Sequence, residues 1–496
     1  MKTLSENITA LKHLYHNSDD IVFQKLRILN EQAFLIYISD LVNKESLEAV
    51  EKKLHHYVAN NTKYNSPSKI ISSLFPSVEV EDTDLLEQAA NKISSGYSLL
   101  LIDGIKKFYI FNTKNKVGRN ITEPTTERTA RGPKEGFIED IDKNLNLIRK
   151  RIKSPSLKVE NLILGEKTET NLSIVYMNGI ASKDIVDEVK ERLSKIKIDG
   201  ILESHYVQSM IKDSPRSPFP TFLSTERPDR VCGQLLDGKV AILIDGTPFA
   251  LLLPVMFVEF FHSSDDYYDS SLVATIVRWV RFLGLFVTLI LPAFYVALTS
   301  FHQDLLQTPF LIRIAASREA LPYPVMIEAI FLLITFELLR EAGLRMPKVF
   351  GGSVVTILGL VFIGQAAVQA GIIGSVMSIV ISVTALTSFI FPSYDFQQLI
   401  RYCGIPILLF AGLFGFMGII VVLMFGLTHL VSLRSFGVPY FSPVSPARKE
   451  GWKDVFIRAP WWAMDTRSPG LDITNQDRAG SVNKANSPKI GEKDHE

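Results

Sequence analysis

The chain has 496 residues, 47% hydrophobic and 21% charged, with a formal charge of +1. A balance this close to neutral excludes the global basic field of a nucleic-acid binder. Cys232 and Cys403 are the only cysteines, which excludes a disulfide framework. Mean hydropathy is +0.17, the average of a polar half and a strongly apolar half. At least two domains follow: an α+β soluble N-terminal half with two small α/β subdomains, and an α-helical integral membrane domain.

The first residues, MKTLSENITALKHLYHNSDD, hold no apolar core of a secretory leader, so the first half is expected on the cytoplasmic side. Residues 1–121 form the first subdomain. There LRILNEQAFLIYISDLV and SLEAVEKKLHHYVANN read as amphipathic helices. SLLLIDGIKKFYIF reads as a hairpin with a two-residue turn at Asp103-Gly104, and KVAILIDGTPFALLL echoes it at Asp245-Gly246. The echo admits a duplication or chance.

Residues 122–155 form a linker with a helix from about Phe137 to Lys150. Its acidic residues come early and Arg149, Lys150 and Arg151 come late, which complements the helix dipole. The late basic group is either good charge placement or a contact for lipid or a neighbouring subunit. Residues 156–246 are the second subdomain, with a strand–strand–helix–strand pattern closed by KIDGILES. DSPRSPFPTFLSTERPDR reads as a long loop.

The membrane domain, 247–433, is expected to have four to six membrane segments. TPFALLLPVMFVEFF, 247–261, is short and broken, and reads as interfacial or re-entrant. Residues 282–301 are a clean span containing Pro292, anchored by Arg278, Trp279 and Arg281. In 321–350 the apolar run is interrupted by Glu328, Glu337 and Glu341, with Arg340 and Arg345 at i,i+3 and i,i+4 positions. Two readings stay open: a charge-paired helix, or a ring of carboxylates at a pore mouth.

From Val349 to Tyr394 there is no Asp, Glu, Lys, Arg or His. That stretch predicts two closely paired helices, about 351–370 and 372–391, rich in small residues. Gln365 and Gln369 are i,i+4 neighbours on the first, while Ser375, Ser378 and Ser382 share a face of the second. These groups are interhelical glue, or they line a pore narrowed near Val368. Residues 403–433 read as one long tilted span, and 434–496 as a largely disordered tail. No GxxxxGK[ST], HExxH, CxxC or GxSxG motif is present, so no enzyme, metal site or cofactor is expected.

TEPTTERTARGPKEGFIEDIDKNLNLIRKR, SPFPTFLSTERPDRV, DGKVAILIDGTPF, DDYY, SFHQDLLQT, ELLREAGLRMP, IGQAAV and FGVPYFSP together resemble the A subunits of GerA-type spore germinant receptors. The similarity runs from about residue 85 to 443, and TEPTTE is nearer the receptors than their stage V sporulation paralogue. The resemblance implies an integral protein of the spore inner membrane, its N-terminal region on the core side. It implies a transporter-like B subunit and a lipoprotein C subunit as partners. It also implies a homo-oligomeric ring, a pentamer, forming a nutrient-gated channel for monovalent cations. On that expectation Val368 gates by dewetting and Glu337, Glu341 and Glu328 concentrate cations at one mouth. The competing expectation is a non-conducting receptor scaffold.

Overall fold

The structure is a computed structural model that describes residues 3–28, 31–60, 80–115, 122–319, 321–345, 352–467, 470 and 475–478. Its soluble half is built twice. The first unit runs α1 (Leu4–Leu14), β1 (Ile21–Ile28), β2 (Glu31–Ile38), α2 (Lys44–Asn60), β3 (Val80–Thr83), α3 (Leu86–Ile93), β4 (Ser98–Ile102), β5 (Phe108–Phe111). The second runs α4 (Ile141–Arg151), β6 (Leu157–Leu164), β7 (Thr170–Met177), α5 (Lys183–Ser194), α6 (Ser204–Ile211), β8 (Leu223–Thr225), α7 (Pro228–Leu236), β9 (Val240–Ile244), β10 (Ala250–Leu253). The sheets have the same order, β1-β2-β4-β5-β3 and β6-β7-β9-β10-β8. All their pairings are antiparallel. The echoed hairpins therefore occupy equivalent places, which favours duplication. Their glycines, Gly104 and Gly246, have φ of 76° and 84°. The connections span 103–107 and 245–249, longer than the expected two-residue turn.

Several expectations are corrected. In the stretch 26–42, read as helix, residues 26–28 end β1 and residues 31–38 form β2. β2 lies inside the sheet, with Ala33 and Leu35 in one buried cluster and Ile36 and Ile38 in another. With both faces covered, the two-residue period is blurred. KIDGILES is not a strand; the backbone of Ile198 and Asp199 accepts hydrogen bonds from the turn after β6. Segment 247–261 is not interfacial. It supplies β10, paired to both β8 and β9, and a buried 3-10 turn at Phe257–Phe261. A short apolar run reads alike in a buried strand and a membrane segment.

Helix α4 is packed into the second unit's core through Ile141, Leu145 and Ile148. Its late basic residues are used internally. Arg149 forks onto Asp20 of the first unit at 2.7 and 2.9 Å, both side chains 1% exposed. Lys150 and Arg151 pair with Glu135.

The helical half contains α8 (Ser271–Ser300), α9 (Thr308–Arg318), α10 (Val325–Arg345), α11 (Gly352–Gln369), α12 (Ser375–Ser388) and α13 (Tyr394–Ser432). Among the described residues, α8 and α13 are long and apolar enough to cross a membrane. The expected pair at 351–391 is present as α11 and α12. The single tilted span expected at 403–433 is a hairpin instead. Gly415 breaks α13 with φ 60° and ψ −140°. Phe396 and Leu399 at its start share a buried cluster with Leu430 and Leu433 at its end. A Cβ on Gly418 would lie 2.1 Å from the Phe410 carbonyl, as a sharp chain reversal requires.

The tail, expected to be largely disordered, with the disorder setting in after about Arg467, folds back at its start as β11 (Arg434–Ser435) and β12 (Val438–Pro439). Phe436 and Val438 enter the second sheet's core, and Tyr440 is fully buried. Residues 479–496 lie outside those described.

Candidate functional site

The soluble and helical halves meet in a buried polar hub made of TEPTTE, TERPDR and DDYY. Pro228 opens α7, so TERPDR sits at the helix start with its backbone fixed. The Glu226 carboxylate accepts from the backbone N–H groups of Thr125 and Thr126 at 2.5 and 3.3 Å, and from the Thr125 hydroxyl at 3.0 Å. Both Nη atoms of Arg227 are used: they donate to the Glu127 carbonyl, Thr129 Oγ1 (2.9 Å), the Pro133 carbonyl (3.0 Å) and Asp229 (2.8 Å). Arg230 donates to Glu127 at 2.6 Å and to the His262 carbonyl at 3.0 Å. Tyr268 donates to Asp229.

Asp266 of DDYY carries the network to α8. It accepts from Arg278 at 3.1 Å and Arg281 at 2.7 Å, and Arg278 also reaches Asp454 of the tail at 2.8 Å. Burial pushes the Glu127 carboxyl up, against the pull of Arg230 and the Thr225 hydroxyl. Burial and the positive field of Arg278, Arg281 and Arg230 hold His262 well below the usual imidazole range, hence neutral. Burial pushes Asp237 up to about 6. The hub fixes α8 to the second sheet by charge-assisted hydrogen bonds. Among the described residues no three His, Cys, Asp or Glu form a metal-holding group.

The sequence-selected membrane residues fall into separate places. Glu328 is buried and accepts from Arg318 at 2.9 Å and from the Gly374 N–H at 2.9 Å. Glu337 bridges Arg340 at 2.8 Å and Arg401 at 3.0 Å. Glu341 pairs with Arg345 at 2.7 Å on the surface. The i,i+3 and i,i+4 pairs foreseen from spacing are thus formed. Arg318 and Arg401 carried no local signal, being ten and 64 residues from their partners.

Gln365 and Gln369 lie on one exposed face of α11, with Val368 half-exposed beside them. The turn to α12 passes through Gly371 at φ 64°. Ser375 is exposed, whereas Ser378 and Ser382 are half-buried. Ser378 faces α11: a Cβ on Gly364 would lie 2.9 Å from its Oγ. The three serines therefore do not form one uncovered stripe.

The profile of the Bacillus/Clostridium GerA spore germination protein family matches residues 9–469. The chain belongs to the GerA family. It is 38% identical to spore germination protein KA of Bacillus subtilis (strain 168), over 96% of this chain and 88% of that protein. It is 36% identical to spore germination protein A1 of the same strain, over 98% and 97%. The uncharacterized membrane protein YfkQ, also from that strain, is 40% identical over 98% and 94%. Among solved structures, the N-terminal domain of the A subunit of the Bacillus megaterium germinant receptor GerK3 covers 51% of this chain and 96% of its own, with 34% identity and a TM-score of 0.41. The chain is an A-subunit-type member of the GerA family, and the hub is made of the motifs that marked the resemblance.

Proposed function

We propose that this GerA-family chain is the multi-pass membrane subunit of a nutrient germinant receptor in the spore inner membrane. Its partners are a transporter-like B subunit and a lipoprotein C subunit. Copies of it assemble as a ring, a pentamer, that conducts monovalent cations through a path lined by α11 and α12.

The carrying observation is the uncovered face of Gln365 and Gln369 on a helix whose other exposed residues include Val361 and Phe362. Amide groups held at membrane depth need protein or water as partners. A ring of copies supplies either one.

The end-to-end contacts support six crossings. α8 leaves the hub and ends at Phe301 and His302, which pack against Gly415 at the tip of the α13 hairpin. The Arg318–Glu328–Gly374 contact lies at that far end, and the Glu337–Arg401 contact at the end near the soluble half. α8, α10, α11, α12 and the two limbs of α13 then cross in alternation, so both flanking regions share a side. The first limb, Tyr394 to Phe414, spans about 30 Å, one hydrocarbon thickness. Arg278, Arg281 and Arg434 flank the soluble end, against Arg313 and Arg318 at the other, in keeping with a core-side soluble half.

One observation favours the non-conducting scaffold reading. Glu328 and Glu337 are engaged by arginines, so in this conformation neither offers a free negative charge to ions. Spores carrying Val368→Ala separate the readings. The channel predicts loss of monovalent cations without nutrient, and the scaffold predicts wild-type retention at equal protein level.

A further inference from the structure

Between α8, α10, α12 and the first limb of α13 lies a cavity of about 510 Å³. Most of its wall is apolar, including Leu289, Pro292, Leu333 and Leu408. Its outer rim is uncovered: Ile334, Leu338 and Ile405 are exposed. At the end near the soluble half sit Glu337, Arg340 and Arg401, with Glu341, whose charge is taken up by Arg345.

Those three residues do not balance. Glu337 receives Nε and Nη2 of Arg340 and Nε of Arg401. Nη1 of Arg340 and both Nη atoms of Arg401 are buried with no hydrogen-bond partner. The two arginine side chains are 8% and 6% exposed. Two guanidinium groups against one carboxylate leave one net positive charge. Unpaired buried donors of this kind are costly, and their fork geometry fits the oxygens of a phosphate.

We propose that this groove binds one anionic phospholipid. Its phosphodiester sits on Arg401 and Arg340, and its acyl chain lies along Leu338 and Leu333 toward Pro292. A phosphodiester brings the single negative charge the cluster lacks. The apolar wall running away from the arginines fits an amphiphile and offers nothing to a free anion. The depth fits too: Arg401 lies about 10 Å along a limb that starts at Tyr394 against the soluble half, which places the charge in the headgroup region of the core-side leaflet. The proposal rests on the membrane reading of α10 and α13.

The test uses the full chain purified in mild detergent, with phosphatidylglycerol, phosphatidylcholine of the same acyl chains, and inorganic phosphate as probes. Native mass spectrometry and melting temperature are the readouts. Wild type is expected to retain one phosphatidylglycerol and to melt higher with it than with phosphatidylcholine. Arg401→Gln is expected to weaken retention about ten-fold or more, with Arg401→Lys between. Leu338→Trp fills the groove without touching the ion cluster, and is expected to lose the lipid while melting as the lipid-free wild type does.

Equal retention of the two lipids overturns the proposal, as does unchanged retention in both Arg401→Gln and Leu338→Trp. Equal stabilisation by inorganic phosphate makes this a free-anion site and also overturns it. So does full crosslinking of Leu338→Cys on one copy to Ile405→Cys on another, which gives the groove to a second copy. Release of the chain from membranes by alkaline carbonate is the separate result that removes the membrane reading itself.

Discussion

At the scale of single residues, the strongest commitments are buried charges with named partners. Asp20 and Arg149 join the two α/β units through a bidentate pair that is 1% exposed on both sides. Removing one partner strands the other, a loss of about 3–5 kcal/mol. Arg149→Met is therefore expected to lower the melting temperature clearly, and Asp20→Asn with Arg149→Met to recover much of the loss. A double variant no more stable than the worse single one would contradict this account of the joint.

Asp237 gives a pH signature. Burial pushes its carboxyl up to about 6, with Arg478 opposing. An acid raised on folding contributes stability that is complete below its ordinary value near 4 and is lost as pH rises through 6. Melting should therefore fall between about pH 4 and 6. Asp237→Asn should flatten that part of the profile, and an unchanged slope would remove Asp237 as its source. Neither Asp20 nor Asp237 was singled out from the sequence, because their partners come from distant elements.

At the scale of elements, Gly415 decides the count of limbs. Its φ of 60° with ψ of −140° is left to glycine, and a Cβ there would approach His302 at 2.8 Å and Phe301 at 3.0 Å. Gly415→Ala is expected to cost about 1–3 kcal/mol and to lower the melting temperature of detergent-purified protein. Wild-type melting would mean that residues 394–432 form one continuous helix.

The hairpin was illegible in the sequence because the chain is apolar on both sides of the turn, from Cys403 to Leu427, and one glycine among several marks it. The α11–α12 pair was legible because Gln369-Ala370-Gly371 interrupts a stretch with no ionisable residue. The Glu337–Arg340 and Glu341–Arg345 pairs were legible because helical spacing is local. Strand β2 was misread, and β10 read both as a hairpin arm and as an interfacial segment, because burial on two faces, or beside a membrane-like run, erases the alternation that marks a strand. Motifs such as TERPDR were visible as a family resemblance, but their meeting in one hub follows only from the way the second sheet closes.

At the scale of the whole molecule, a duplicated α/β platform is fixed by a polar hub to helices that leave and return on one side. Contacts run continuously from Asp20–Arg149 through α4 and the second sheet's core to Phe261, whose carbonyl accepts from Arg281 beside Asp266 and Arg278. The receptor account needs one thing more: copies must assemble so that the faces of α11 and α12 enclose a path closed at Val368. The direct measurement is monovalent-cation efflux from liposomes holding the purified oligomer, wild type beside Val368→Ala. The account predicts efflux from Val368→Ala and little from wild type. No efflux from either, in protein shown to be oligomeric and inserted, would contradict the channel and leave the scaffold.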